Sequence, residues 1–269
     1  MLRVFKSIGT YLKYIVLCVS LNVRSSISNK KSFIIQTVSM FINNYVFLLF
    51  WQILFNNKGG SINNTTMDDI IYLWSIPTIA FGICFFCFGG VENLCRDIVD
   101  GNLDVYLTKP KHSLISQLTS YSVLSAMGDL LFGLVCGVIV SRFNILKFLL
   151  IILLSVIAGI AFVCINVIVR LLSFWFGDLT NSTKRYTSTV LVTLTIYPEQ
   201  MFPKFLKIMM YTVIPAIYVA HIPVRIAKGE TFLWFLILLA VTVLLVIITF
   251  WMYSKGIKKY EGNSGVTRR

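Results

Sequence analysis

The chain has 269 residues, of which 57% are hydrophobic and only 13% charged, and its mean hydropathy is +0.81. A soluble domain is closer to half apolar and a quarter charged, and the apolar excess here falls in blocks of ~20 residues, long enough to cross a bilayer. This composition excludes an ordinary soluble protein and indicates an all-α, polytopic membrane protein. The net charge of +13 does not indicate a nucleic-acid partner, because the basic residues form short clusters between apolar runs, as in cytoplasmic loops.

Residues 1–31 are predicted to form an amphipathic helix that lies on the membrane surface. Apolar side chains recur at helical spacing from Val4 to Val19, and basic or polar ones occupy the other side. An ordinary first span is the alternative, but Lys13 lies too centrally in the stretch and Arg24 follows too soon. These basic residues also leave no clean apolar core for a cleavable signal peptide, so we expect the N-terminus in the cytoplasm.

The rest of the chain is predicted to contain six membrane spans. They cover residues 32–55, 70–91, 119–140, 147–172, 186–197 and 232–253. Residues 92–118 form a polar segment between the second and third spans. Residues 198–230 are apolar but are interrupted by prolines, and broken helices are tolerated at membrane depth only inside protein or beside water. This stretch is therefore predicted to be a re-entrant hairpin that enters the outer leaflet before the last span.

The distribution of basic residues predicts that both termini are cytoplasmic. Seventeen of the 24 Lys and Arg residues fall in the segments that this topology places inside. Four of the other seven lie within the broken stretch. An alternative topology, in which 205–226 is a complete fifth span and 173–204 is cytoplasmic, therefore stays open. Residues 1–269 are treated as one transmembrane domain.

No catalytic or metal site is predicted in this chain. The stretch "CFFC" at 84–87 lies in an apolar helix without a nearby histidine, and a metal site needs about four ligands. The sequence contains no paired acids on one helix, no G-x-S-x-G and no G-x-x-x-x-G-K-[ST] phosphate loop. Any ATP that drives this protein would have to bind to a separate chain.

A short charged stretch between apolar runs is "DIVDGNLDVYLTKP", residues 97–110. Asn102 can cap a helix, the preceding glycine frees the chain to turn, and Pro110 prevents extension. The pattern predicts a helix of about two turns, whose two leucines and tyrosine share one apolar face with a charged rim. Such a face is too small for a core but can fill a groove on another protein; a plain solvated loop is the alternative. The residues expected to make the contact are Gly101, Asn102, Leu103, Asp104, Tyr106, Leu107 and Pro110.

Two motifs resemble the type-2 ABC exporter permeases, in the branch with a single six-span permease domain. "GNLDVYLTKPKHSL" (101–114) resembles their Gly-x-Leu-Asp-x-x-Leu-x-x-Pro signature between spans 2 and 3. "IYPEQMFPKFLKIMMYTVIPAIYVAHIPV" (196–224) resembles their Tyr-Pro…Phe-Pro…Ile-Pro-Ala…Pro pattern after span 5. With the amphipathic N-terminus, the resemblance covers essentially the whole chain. Lys111 and His112 depart from the Val-Asn often found after the first motif's proline.

This resemblance implies a transport function. In that family the helix between spans 2 and 3 is the coupling helix, which binds an ATP-hydrolysing subunit. The resemblance therefore implies two ATPase chains, which bind ATP and Mg, and a second permease that is identical or paralogous, in the plasma membrane of a bacterium. The 21 phenylalanines favour an amphipathic or apolar cargo, such as a drug, an antimicrobial peptide or a lipid-like molecule. A membrane-embedded enzyme acting on lipid or peptide and a non-transporting immunity protein are the alternatives.

Some polar and proline residues are candidates for the transport pathway or its outer gate. Asp129 lies near the middle of the third span, where a carboxylate is costly and is therefore a candidate for function. It either accepts hydrogen bonds from neighbouring helices or lines the pathway. The candidates are Asp129, Asn166, Tyr197, Pro198, Phe202, Pro203, Pro215 and Pro223.

Overall fold

The computed structural model describes residues 2–27, 30–62 and 65–264, and its named elements are all helical, as predicted. The first seven α-helices of these ranges are α1 (Leu2–Ile27), α2 (Lys30–Asn57), α3 (Met67–Cys87), α4 (Leu94–Val99), α5 (Asp104–Leu107), α6 (Ser113–Leu118) and α7 (Ala126–Ser141). The others are α8 (Ile145–Leu171), α9 (Ser173–Phe176), α10 (Thr180–Arg185), α11 (Val192–Ile196), α12 (Lys204–Thr212), α13 (His221–Ala227) and α14 (Phe232–Ser264).

Four helical runs in the described part of the chain are long and apolar enough to cross a membrane. They are α2, α3, Ile145–Phe176 and Phe232–Tyr260. The bent pair Lys204–Thr212 and Ala216–Ala227, whose parts meet at 75°, adds a fifth if it is a single span. The apolar helix α7 is shorter, with 16 residues. The chain is therefore a polytopic membrane protein.

Helix α3 lies at the centre of the bundle and packs against α7 and α8. Small residues allow this close packing: at Gly133 of α7, an added Cβ would lie 2.9 Å from the backbone nitrogen of Ile79. On the α8 side, the rings of Phe81 and Phe162 are 4.6 Å apart, and Ala80 is completely buried. The last helix, α14, packs on the other side of α8.

Helix α2 lies at the edge of the bundle. Its buried residues form a narrow stripe, Thr37, Asn44, Trp51 and Phe55, in which the first three are spaced by seven. Seven residues are close to two helical turns, so these side chains share one face, which packs mainly on α7. Eight other large apolar side chains of α2 are exposed, as expected of a surface that contacts lipid or another membrane chain.

The bundle has two ends, which we name after the short helices found there. At the α5 end, Tyr253 and Tyr260 of α14 donate hydrogen bonds to Ser113 (2.7 Å) and Asp104 (3.0 Å). At the α12 end, Asp69 at the start of α3 forms an ion pair with Lys228. The segment 92–118 and the broken stretch 198–230 therefore lie at opposite ends.

Helix α1 lies beside the α5 end, and its helical prediction is confirmed over Leu2–Ile27. Tyr14 donates a hydrogen bond to Ser116 (3.1 Å), and Asn22 donates to the carbonyl oxygen of Thr119 (3.1 Å). The face that points away from these contacts carries exposed apolar side chains: Leu12, Val16, Leu17 and Leu21. This helix is not among the runs that can cross a membrane, and its two faces suit a position at the membrane surface.

Three helices have a limit that differs from the predicted one by six residues or more. Within 119–140 the helix begins only at Ala126, and in the preceding Ser- and Thr-rich stretch the backbone nitrogen of Val123 donates instead to the carbonyl oxygen of Phe85 on α3 (2.9 Å). The helix over 186–197 begins earlier, at Thr180, and runs through a π-helical turn at Tyr186–Leu191. The last helix continues beyond 253 to Ser264, where Tyr260 packs on Phe174 with ring centroids 6.3 Å apart.

Candidate functional site

Segment 92–118 folds into the short helices α4, α5 and α6, which follow a 3-10 helix over Gly89–Asn93. The buried side chain of Gln117 joins three of these elements. Its Nε2 atom donates to the carbonyl oxygen of Gly90 and to the Oδ2 atom of Asp97, both at 2.8 Å. Because a buried amide without a partner is costly, these bonds hold the segment in one arrangement.

The turn before α5 depends on Gly101 and Leu103. Gly101 has a φ of 79°, a left-handed conformation that favours glycine. The backbone nitrogen of Leu103 donates to the carbonyl oxygen of Asp97 (3.2 Å), and its side chain is completely buried in the main core. Leu103 therefore attaches α5 to the bundle.

These positions correct two details of the predicted coupling helix. Helix α5 has one turn rather than two, and Leu103 occupies its N-cap position instead of Asn102. Leu103 is also absent from the exposed apolar face, because the core buries it. The sequence pattern could not distinguish a leucine that packs inward from one that binds a partner.

The outward side of α5 forms a small surface of apolar and polar side chains. Val105 and Leu107 are 61% and 37% exposed, and Tyr106 is half-buried beneath Lys109, whose Nζ atom lies 4.7 Å from the ring centroid. We call six of the exposed residues the docking surface: Asn102, Val105, Leu107, Thr108, Lys109 and Pro110. Gly101 and Asp104 are exposed beside it. Val105 was not among the predicted contact residues, although it lies between two of them.

Residues of α14 and α1 support the docking surface from behind. Tyr260 donates to the Oδ1 atom of Asp104, which explains why this carboxylate is held at the start of α5. The ring of His112 packs edge-on against Phe250 (5.1 Å between centroids), and Lys111 lies over the ring of Tyr11 at 5.0 Å. The Lys111-His112 pair, which departs from the family pattern, thus makes contacts inside this chain.

Burial alters the titration of two groups in this segment. It raises the pKa of Asp97, and the neighbouring Asp100 raises it further, while the hydrogen bond from Gln117 lowers it. Burial also lowers the pKa of His112, so its imidazole is neutral at pH 7. Among the described residues, no group of three or more His, Cys, Asp and Glu side chains could hold a metal ion.

The predicted pathway residue Asp129 is buried between α7 and α2, in the first turn of α7 rather than near the middle of the helix, because α7 begins only at Ala126. Its Oδ1 atom accepts a hydrogen bond from the Nδ2 atom of Asn44 at 2.7 Å. Asn166 lies in a separate polar cluster, where its Oδ1 atom accepts from Arg170 (2.8 Å) and Thr187 (2.7 Å). This geometry favours structural hydrogen bonding for both residues. Sequence reasoning missed Asn44 and Thr187, because single polar residues in apolar helices do not reveal their partners.

Replacing Asn44 by leucine is expected to destabilise the protein, because Asp129 would lose its hydrogen-bond donor in a buried site. A buried acceptor left unpaired costs about 1–3 kcal/mol, and the thermal unfolding midpoint in detergent would fall by several degrees. The double variant Asn44→Leu/Asp129→Leu should recover most of this loss. If Asn44→Leu leaves the midpoint unchanged while Asp129→Asn stops transport, the carboxylate instead acts on the cargo.

The predicted gate residues lie together at the α12 end. The ring of Tyr197 packs edge-on against Phe47 and Trp51 of α2, with centroids 5.9 and 6.1 Å apart. Three prolines stand at or near helix starts: Pro203 precedes α12, Pro215 precedes a 3-10 turn, and Pro223 lies in the first turn of α13. Proline is tolerated at such positions because no backbone donor is lost there. Phe202 packs against the main core.

A cavity of about 410 Å³ opens beside these residues and has a mixed-charge lining. Glu199 pairs with Arg225, and Asp69 pairs with Lys228, so each ion pair includes a residue of the 198–230 stretch. His221 bonds the carbonyl oxygen of Leu194 through its Nε2 atom at 3.0 Å. Pro198 also lines this cavity.

Several helices long and apolar enough to cross a membrane, with an exposed short helix at one end of the bundle, define a polytopic membrane protein. Residues 41–264 match the family described as ABC-2 family transporter protein, and the chain belongs to that family. It is thus an ABC-2 type permease, the membrane component of an ABC transporter, and its family implies association with an ABC ATPase. A comparison with curated proteins finds no match.

Proposed function

We propose that this chain is the permease of an ABC exporter and that α5 is its coupling helix. The docking surface supports this proposal most directly, because an exposed apolar face stands on a helix attached rigidly to the core through Leu103. Movement of a bound ATPase at this surface would pass to α4 and α6, and from there to α3 and α7. The exporter would contain two copies of the ATPase, which bind ATP and Mg, and a second permease that is identical or paralogous.

This function is tested by recovering the complex. The tagged full-length chain is purified from its native cells, and an ABC ATPase is expected to co-purify. The complex should also hydrolyse ATP, whereas the permease alone should not. A purified permease that transports without any ATPase would contradict the proposal.

We also propose six spans with both termini in the cytoplasm of a bacterial cell. The shorter helix α7 and the continuous run Thr180–Ile196 would be the third and fifth spans. The run Thr180–Ile196 would be about 25 Å long at 1.5 Å per residue, enough for most of the hydrocarbon thickness.

The contacts within 198–230 favour a re-entrant hairpin over the alternative fifth span. Glu199 near its start pairs with Arg225 near its end, and Lys228 reaches the start of α3. If 205–226 crossed the bilayer, Glu199 and Arg225 would lie on opposite sides of the membrane. The α12 end would then be the outer end, with the hairpin as its gate.

A single cysteine at position 204 tests this topology. In a variant without its six native cysteines, Lys204→Cys should react with a membrane-impermeant thiol reagent added outside intact cells, because Lys204 is exposed at the α12 end. Lys258→Cys on the exposed side of α14 is the matched control and should react only after the cells are opened. Reaction of Lys204→Cys only in opened cells would favour the alternative topology.

The proposed cargo is amphipathic or apolar. Aromatic rings at the α12 end support this choice, since Phe47 stacks on Trp74 with centroids 4.4 Å apart and contacts Tyr197. The adjacent cavity, lined by Glu199, Arg225 and other charged groups, can accept the polar part of such a molecule. A drug, an antimicrobial peptide and a lipid-like molecule all have this chemistry.

A further inference from the structure

Arg170, near the end of α8, is a buried cation that forms no ion pair with a carboxylate in the part of the chain that the structure describes. Its side chain is nearly inaccessible, with 3% of the residue exposed. Buried charges in proteins are normally paired, and an ionisable group within a membrane helix is a candidate for function.

Within the described ranges, the hydrogen bonds of Arg170 use only one of its nitrogen atoms. Nη1 donates to the backbone and side-chain oxygens of Asn166 (3.2 and 2.8 Å) and to the hydroxyl of Thr187 (3.2 Å). A guanidinium has five N–H donors. Within the described part of the chain, Nε and Nη2 make no hydrogen bond, and Arg170 lines a cavity. The side chain is thus held in one orientation while several donors remain for a ligand.

The cavity that Arg170 lines has an excess of positive charge. It has a volume of about 130 Å³ and lies at the α5 end, between α4, α8 and α10. Its other charged lining residues are Arg96, Lys184 and Glu92, so three cations face one carboxylate; Asn93 and Thr180 add polar groups. Since one water occupies ~30 Å³ of liquid, the space accepts a group of several heavy atoms.

We propose that this cavity, which we name the Arg170 cavity, is a binding site for a phosphate-class oxyanion. Arginine presents N–H donors in a fork that matches phosphate oxygens, and lysine binds phosphate as a point charge. The excess of two positive charges suits a multiply charged oxyanion better than a single carboxylate. The end of α8 marks one limit of the membrane helices, where lipid phosphates lie, so the oxyanion comes from a lipid headgroup or from a soluble phosphate.

Binding at this site would act on the helix Thr180–Ile196. Thr187 contacts Arg170 and Asn166 together, and it lies in the π-helical turn at Tyr186–Leu191. Single π-turns within α-helices are rare, and those that occur are often found at functional sites. An oxyanion that draws Arg170 towards the cavity would therefore alter the hydrogen bonds that hold this turn.

The experiment measures the thermal unfolding midpoint of the purified full-length chain in a neutral detergent. One arm titrates inorganic phosphate against sodium chloride of equal ionic strength, and a second titrates phosphatidic acid against phosphatidylcholine. A ligand at ~100 times its Kd should raise the midpoint by about 5 °C. A rise with phosphate in the first arm assigns the site to a soluble anion, whereas a rise with phosphatidic acid alone assigns it to a lipid headgroup; both support the proposal.

Four variants locate the binding. Arg96→Gln and Lys184→Gln, both at exposed positions, should each weaken the affinity about 10-fold, while Glu92→Gln should strengthen it about 10-fold, since one charge beside the ligand changes in each. Arg185→Gln is the matched control, because it removes the same charge one residue from Lys184 at a side chain outside the cavity lining. No rise with either ligand, or an equal effect of Arg185→Gln and Lys184→Gln, would overturn the proposal.

Discussion

Leu107→Glu is expected to weaken binding of the ABC ATPase at least about 30-fold, the effect of losing a hot-spot contact of about 2 kcal/mol. Leu107 is 37% exposed on the one-turn helix α5, so a carboxylate there remains solvated in the free permease but would be desolvated in a groove of the partner. Val105→Glu, at a side chain that is 61% exposed, should have an effect of the same order. The measurement is the Kd between the purified permease and the ATPase in detergent.

Two comparisons distinguish a lost contact from a damaged fold. Tyr121→Glu makes a similar change at another exposed position of the α5 end, where the side chain is 48% exposed, and it should leave the Kd unchanged. The unfolding midpoints of all three variants should match that of the parent chain within about 2 °C, as is usual for surface substitutions. If both Leu107→Glu and Val105→Glu bind the ATPase normally, α5 is not the coupling helix.

Gly90→Ala is expected to lower the free energy of unfolding by about 3 kcal/mol, a large effect for one methyl group. The added Cβ would overlap the backbone oxygen of Gln117 and lie 2.8 Å from that of Leu118. Both neighbours are backbone atoms of α6, so they cannot rotate away, and the 3-10 helix must move from α6. This movement would break the hydrogen bond from Gln117 to the carbonyl oxygen of Gly90. The unfolding midpoint should fall by about 10 °C, and ATPase binding should weaken, because α5 leads directly into α6.

The same substitution at Gly9 provides the control with the opposite expectation. A Cβ at Gly9 of α1 would meet nothing within 4 Å, and alanine in a helix is more favourable than glycine by about 0.5–1 kcal/mol. Gly9→Ala should therefore leave the midpoint unchanged or raise it. Equal midpoints for Gly90→Ala and the parent chain would mean that the 3-10 helix and α6 are not packed closely. Their contact could then not be what holds α5 and the docking surface in place.

The sequence-based predictions that the structure corrects concern which residues are buried, and no local sequence pattern reveals this. Leu103 and Leu107 have the same residue type and the same helical face in the sequence, yet one is completely buried and the other is exposed. The last helix continues past the apolar run because Tyr260 has a partner in Asp104, which is 156 positions away. The early start of the helical run Thr180–Ile196 could not be predicted either, because its first turns are polar and resemble a loop.

The sequence by itself determined that the chain is helical and embedded in a membrane, because apolar runs of span length have no other way to satisfy their backbone in lipid. It also determined where the polar segment 92–118 interrupts these runs, since Gly101 and Pro110 limit the turn locally. Only the tertiary structure decided which residues face a partner and which face the core. Only the tertiary structure placed Asn44 beside Asp129, and Arg170 in one cavity with Arg96 and Lys184. These residues belong to different helices, and the packing of those helices depends on the whole chain.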